Sequence, residues 1–490
     1  MYIGRTKILC DESEITSGNV VQILTDALLD HQNNSAQCDF LYRYYRGDQP
    51  ILQRTKTIRK EICNKIVENR ANEIVSFKTG YLCGEPLQYV SRGSTDVISG
   101  GIQKLNDFML LNGKSALDKS LAEWMYICGV GVRMVQPNRV YAGATVPKRL
   151  RKFLGISVVG DAPQDEAPFE TYTLDPRYSF VVYHSGLGEP PLFGVKYITK
   201  QDKSTIYTVY TAAQQLTVTM SEENDPIVAE TANPLGVVPI IEYPLNNARL
   251  GAFEIVMPIL DAINTVQSNR LDGVEQFIQS LIIFYNCDID DDVAVSLREA
   301  GLIKLKSIGE IKAEVKELAE QLDQSQTQTL TDYMYQTVLN IAGMPNRNGG
   351  SSTSDTGAAT LIRDGWSAAE ARAKDDEIMF KESERRFLKI VLRVLRDTVG
   401  TPLGLVDIET KFTRRNYENI QTKAQVLTSM LSNDKVAPEL AFTHCGMFSD
   451  PQDAYRQSKE YYEKVKSEQV TQTNPSDAKK PEPKAGDPAA

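Results

Sequence analysis

An α+β fold is predicted for this 490-residue chain by three patterns: short alternating runs between residues 169 and 245, a helical stretch from Gly251 to Tyr285, and two further helices beyond it. The runs FETYTLDPRYSFVVY, LFGVKYIT, STIYTVYTA, QLTVTM and GVVPIIEYPL are rich in Val, Ile, Thr and Tyr and broken by Pro, Gly and Asp, the pattern of an antiparallel sheet. In the helical stretch Val256, Leu260 and Ile263 fall four and three apart. The polar run Gln267-Ser268-Asn269-Arg270 interrupts them, and Leu271, Val274, Ile278 and Leu281 resume much the same face. As one helix it would be roughly 50 Å long. Pro258 either kinks it or marks its true first turn. Because the apolar positions do not form a self-sufficient stripe, two readings stand: an ordinary core helix, or a helix whose neighbours come from other subunits.

The remaining elements follow in chain order. Residues 1–22 form an N-terminal arm, and an organised block begins at Ile23 and runs to Val90. Within it ICNKIVENRANEIVSFKTGYLCGEPLQYV starts as a helix, with Ile62, Ile66, Ala71, Ile74 and Phe77 near one face, and gives way to a β-like segment at Gly80. The preceding LYRYYRGDQPIL offers tyrosines and arginines for base stacking, but their helical spacing favours packing. Residues 101–128 read as a helix pair and GVGVRMVQP (129–137) as a strand. After Tyr285 comes an acid-flanked insert with candidate strands Leu302 to Lys306 and Glu310 to Val315 about a turn at Ser307 to Gly309. A second helix, Leu322 to Ala342, leads to the small, polar loop NRNGGSSTSDTGAAT. An amphipathic helix from about Leu361 to Val399 has Trp366, Ile378, Phe387, Ile390, Val391 and Leu395 as buried candidates. LVDIETKFTRR (405–415) reads as a strand, helices follow to about residue 466, and the Pro-, Ala- and charge-rich end is expected to be disordered.

At 41% hydrophobic and 24% charged residues the chain has material for two to four folding units with a sizeable core. A net charge of -10 argues against a reader of nucleic-acid sequence, which carries a basic stripe, without excluding a protein past which DNA slides. The cysteines (Cys10, Cys38, Cys63, Cys83, Cys128, Cys287, Cys445) are odd in number and without a CxxC pair, which points to a reduced intracellular setting. No apolar signal core opens the sequence and no run of apolar residues is long enough to span a bilayer, so neither secretion nor membrane insertion is expected.

Catalytic chemistry is missing. Gly113-Lys114-Ser115 resembles the end of a phosphate-binding loop, but Phe108 stands where the first glycine is required. His31, His184 and His444 lie far apart without ligand spacing, and the acid run Asp288, Asp290, Asp291, Asp292 lacks the alternation of a calcium loop. There is no GxSxG elbow and no credible Cys/His pair. No enzyme, metal site or cofactor is expected.

The order of the parts carries more. KTGYLCGEPLQY, the strand pair around LDPRYSFVVY, NPLGVVPIIEYPLNN leading into FEIVMPILDAINTVQS, and SNDKVAPELAFTHCGMFSDPQDAYRQSKEYYE together resemble the portal proteins of tailed bacteriophages, closest to those of phages with long non-contractile tails, over about residues 30 to 465. The resemblance implies a dodecameric ring at one capsid vertex, a channel for double-stranded DNA passing without sequence specificity. It also implies a virion location after assembly in the host cytoplasm. The partners it implies are the terminase large subunit, a head–tail adaptor, and major capsid and scaffolding proteins. Mapped here, residues 23–250 are wing, 251–285 and 322–345 stem, 286–321 clip, 346–359 tunnel loop, 360–416 the wing's long helix and strand, 417–466 crown and 467–490 tail. Val256, Leu260, Ile263, Val274 and Leu281 become stem contacts between subunits. Asn346, Arg347, Asn348, Ser351, Ser352 and Thr353 would face DNA, and Ile303, Lys304, Leu305, Lys306 and Ile308 would form the docking face. The rival readings are another ring-forming virion or scaffold protein without DNA passage, and an enzyme whose polar groups converge only in three dimensions.

Overall fold

In a computed structural model the described residues are 4–92, 96–138, 165–221, 224–278, 281–285, 314–318, 324–346, 365–414, 420–448 and 450–472. Strands β5 (Ser179–His184), β6 (Pro191–Thr199), β7 (Thr205–Thr211), β8 (Gln214–Met220) and β9 (Ile227–Ala232) form the expected antiparallel meander. The arm adds β1 (Ile8–Cys10) to its edge, parallel to β5. One face of this sheet, with Val182, Phe193, Val195, Val209, Leu216 and Val218, packs on Val20, Ile23, Leu24, Ala27 and Leu28 of helix α1 (Val20–Tyr45). The strand β4 (Phe169–Leu174) lies in a second sheet, ordered β10 (Ile240–Pro244), β3 (Val130–Pro137), β4. The strand β9 has no legible signal in sequence because its side chains are mostly exposed, and its pairing with β8 alone defines it.

The larger core gathers the end of α1, helices α2 (Arg70–Cys83), α3 (Asp96–Leu111) and α4 (Lys114–Cys128), the second sheet, and helix α7 (Trp366–Thr398). Helix α4 stops at Gly129, whose φ is 75° and where an added Cβ would lie 2.1 Å from the Arg249 carbonyl oxygen, so only glycine serves. The tyrosine cluster packs, as its spacing predicts: Tyr44 is fully buried and Tyr42 stacks on Trp124 with centroids 5.0 Å apart. On α7, Phe387, Ile390, Val391 and Leu395 are buried and Trp366 is half-buried beside Phe77 and Tyr81. Ile378 is the exception, 65% exposed, because it sits across the helix from Phe380. The strand predicted at 405–415 is β13 (Ile408–Lys411), paired with β2 (Gln88–Ser91). Helices α8 (Ile420–Leu431), α9 (Pro438–His444) and α10 (Pro451–Gln472) are the last described elements, so residues 467–472, expected in the tail, are helical.

Candidate functional site

Two helices stand on the larger core, α5 (Met257–Ile278) and α6 (Gln324–Ala342), packed on each other with Arg270 donating to Gln328 at 2.8 Å. The first is shorter than the sequence predicts: its 22 residues span about 33 Å. Pro258 occupies its first turn, where a missing N–H costs nothing. Leu281 is not helical, since LIIFY forms strand β11 (Leu281–Tyr285), antiparallel to β12 (Glu314–Leu318). A β-branched and aromatic run suits a ladder better than a helix end. The return strand lies further along than the candidate Glu310 to Val315.

Three of the residues assigned to subunit contacts serve the chain itself. Val256, Leu260 and Ile263 are 0–1% exposed, in the same core as Phe253, Val338, Leu339 and Ala342. Further up the same face Leu271 and Val274 are 39% and 43% exposed, so the core reading describes the first part of the helix and does not extend to these two positions. Helix α6 likewise leaves Leu330, Tyr333 and Ile341 exposed on one face while Val338 and Ala342 are buried. These are apolar positions left exposed among the described residues.

The polar interruption in α5 has a partner. Asn264, Ser268 and Asp272 are buried, and they accept from the backbone N–H groups of Glu68 (2.8 Å), Ile66 (2.9 Å) and Asn64 (2.8 Å). Four helical residues rise about 6 Å and two extended residues about 6.6 Å, so the two periods run in step. This is why residues 62–69 are not helical and the predicted helix with Ile62 and Ile66 starts only at Arg70. Asp272 also takes Arg54 (2.9 Å) and Lys56 (2.8 Å). Burial alone would push its carboxyl up, but the bonds from Lys56, Asn64 and Arg54 hold it below the ordinary range.

Buried in the body of the chain lies a group of paired charges. Lys114 Nζ is 2.7 Å from Asp118 and 2.9 Å from Glu384, and Arg133 reaches Asp118 at 2.5 Å and Glu384 at 3.2 Å. Tyr243 donates to Glu384 at 2.7 Å, and Tyr89 donates to its other oxygen. All four charged side chains are at most 4% exposed. Two cations balance two carboxylates and tie α4, β3, β10, β2 and α7 together. Lys114 of the Gly-Lys-Ser tripeptide is thus spent in ion pairs, not aimed at phosphate. The sequence carries a signal of it: Arg133 stands in the apolar run GVGVRMV, and Glu384 sits on the apolar face with Phe380, Phe387 and Leu388.

Elsewhere the polar groups are structural. His31 is buried, stacked on Phe180 at 4.1 Å with Nε2 3.2 Å from the Arg177 carbonyl, and burial lowers its pKa to about 4. His184 Nδ1 accepts from the Gly186 N–H at 2.8 Å, and His444 is exposed. Among the described residues no group of three or more His, Cys, Asp or Glu could hold a metal ion. A cleft of about 590 Å³ between α3 and α10 is lined by groups of both signs, with Arg456 already paired to Asp453. Among the described residues no helix is long and apolar enough to cross a membrane. Ile303, Lys304, Leu305, Lys306 and Ile308 lie outside the described residues, as do Arg347, Asn348, Ser351, Ser352, Thr353 and the acid run at 288–292. Asn346 is described, just beyond the end of α6.

A family model described as phage portal protein, SPP1 Gp6-like, matches residues 27–472, nearly the whole chain. No curated protein matches it.

Proposed function

The chain belongs to the phage portal proteins, virion components of the head–tail connector that are structural rather than catalytic, and we propose that its copies close into a dodecameric ring through which duplex DNA is packaged and later ejected. The family match over nearly the full length carries this reading. The geometry supports it. The apolar positions left open on α5 (Leu271, Val274) and α6 (Leu330, Tyr333, Ile341) supply a contact face for neighbours. A head-to-tail contact of this kind closes when the rotation per subunit divides a full turn.

Both helices root in the core at one end, Leu260 of α5 and Ala342 of α6, while β11 and β12 join them at the other. To the segment between these strands in sequence, residues 286–313, we assign the docking of the terminase large subunit and the head–tail adaptor. The wing and crown would meet the major capsid and scaffolding proteins. The loop 346–359 begins at the rooted end of α6, and its small polar residues make weak, interchangeable contacts with phosphate. Arg347 is its one cation, so Arg347→Glu should slow packaging while rings persist. Normal packaging by intact mutant rings would remove Arg347 from the DNA path. End-on imaging of the purified protein tests the whole reading. A closed ring with a bore wide enough for a duplex is expected, and a ring too narrow for DNA would favour a scaffold without passage.

A further inference from the structure

The C-terminal half of α7 carries a row of cations that the channel reading does not use. Arg385, Lys389, Arg393 and Arg396 recur at intervals of four, four and three, all exposed on the outer face of one helix. Arg386 lies beside them, and the acids exposed between 382 and 397 are Glu382, paired with Arg386 at 3.1 Å, and Asp397. The exposed groups of this stretch carry a net +3, and the stretch as a whole, with the buried Glu384, a net +2, on a chain whose total is -10. From Arg385 to Arg396 the row extends about 16 Å, facing about five phosphates of one DNA strand.

Two bland explanations fail. Helix-dipole stabilisation acts within the last turn, which accounts for Arg396 and not for Arg385 or Lys389. A solvated helix face interleaves its signs, and the first half of α7 does so, with Glu370–Lys374, Glu377–Lys381 and Glu382–Arg386 each at i, i+4. Beyond Arg386 that ladder stops. The i−4 neighbour of Lys389 is Arg385 and that of Arg393 is Lys389, like charges that weaken the helix when no anion is present. Arg393 and Arg396 bond only to the neutral carbonyls of Gly236 and Leu392, and Arg385 and Lys389 have no partner among the described residues.

We infer that this face of α7 binds the phosphate backbone of duplex DNA, as a second DNA contact separate from the loop at 346–359. An acidic protein is the other polyanion of the right charge, but a protein interface needs apolar contact at its centre. No large hydrophobic side chain is exposed between Ile378 and Val399. Nucleic-acid surfaces are polar and positive throughout, like this one.

The test uses the full-length chain, a dye-labelled random-sequence duplex, and salt varied between about 50 and 200 mM. Replacing Arg385→Gln with Lys389→Gln should reduce the slope of log affinity against log salt by about 2. Extrapolated from molar salt, that is a loss of about 30-fold in affinity near physiological ionic strength. The control Lys374→Gln with Lys381→Gln removes the same net charge from paired positions on the same helix, and should change little. Equal losses in both variants, or none in either, would overturn the proposal, as would a wild-type chain that binds polyglutamate and not the duplex. Ring imaging reports on the channel separately, so failure of one reading leaves the other standing.

Discussion

Replacing Glu384 by alanine should be among the most damaging single changes this chain can suffer. The carboxylate is 0% exposed and accepts from Lys114, Arg133, Tyr89 and Tyr243 at once. Without it two buried cations share the single carboxylate of Asp118, and two phenol groups lose their acceptor. Removing one partner of a buried ion pair costs about 3–5 kcal/mol, and an orphaned buried hydroxyl about 1–3 kcal/mol more. These losses share one site and do not add fully, so a total of about 4–6 kcal/mol is expected. The assay is urea unfolding followed by circular dichroism, with Glu382→Ala as control, since its exposed pair with Arg386 should contribute less than about 1 kcal/mol. An effect of Glu384→Ala no larger than the control's would refute the network as described. A pH dependence accompanies it. Burial alone would push the Glu384 carboxyl up, but Lys114 and Arg133 hold it below its ordinary value. The group therefore contributes stability above the ordinary glutamate range, near pH 4.3, and that contribution fades as pH falls through the lowered folded value. Glu384→Gln should lose this acid-side slope.

His31 gives a second window. With a folded pKa of about 4 against an ordinary 6.5, its unfolded form takes up the proton first. Stability should thus fall by up to about 3 kcal/mol as pH drops from 6.5 to 4, and His31→Phe should flatten that slope in a pH series of melts. On the helix pair, Leu330→Glu with Tyr333→Glu should leave melting nearly unchanged, within about 0.5 kcal/mol per site, and abolish rings by light scattering. Leu260→Asp should instead unfold the chain's own core, at a cost of several kcal/mol. Rings surviving the double replacement on α6 would remove that face from the subunit contact.

The alternating runs from 169 to 245 declared a sheet, and the pairs of helices at 101–128 and the long helix near 361–399 were legible, because period and capping are local properties of the chain. The order of parts was legible too, enough to show the family resemblance. What local sequence could not decide was which neighbour each face meets. Leu260 and Val274 lie on one stripe and read alike. Only the tertiary structure closes the core over the first and leaves the second exposed, because the body of the chain ends partway up α5. Ile62 and Ile66 have helical spacing, yet Asn264, Ser268 and Asp272 claim the backbone donors of that segment and keep it out of a helix. Leu281 continues the helix in register, and β12, some thirty residues on, draws it into a strand. Lys114 and Glu384 are far apart in sequence, so their pairing was invisible until the fold enclosed both. A buried charge demands a partner wherever the chain can bring one, and sequence shows the demand without showing which residue meets it.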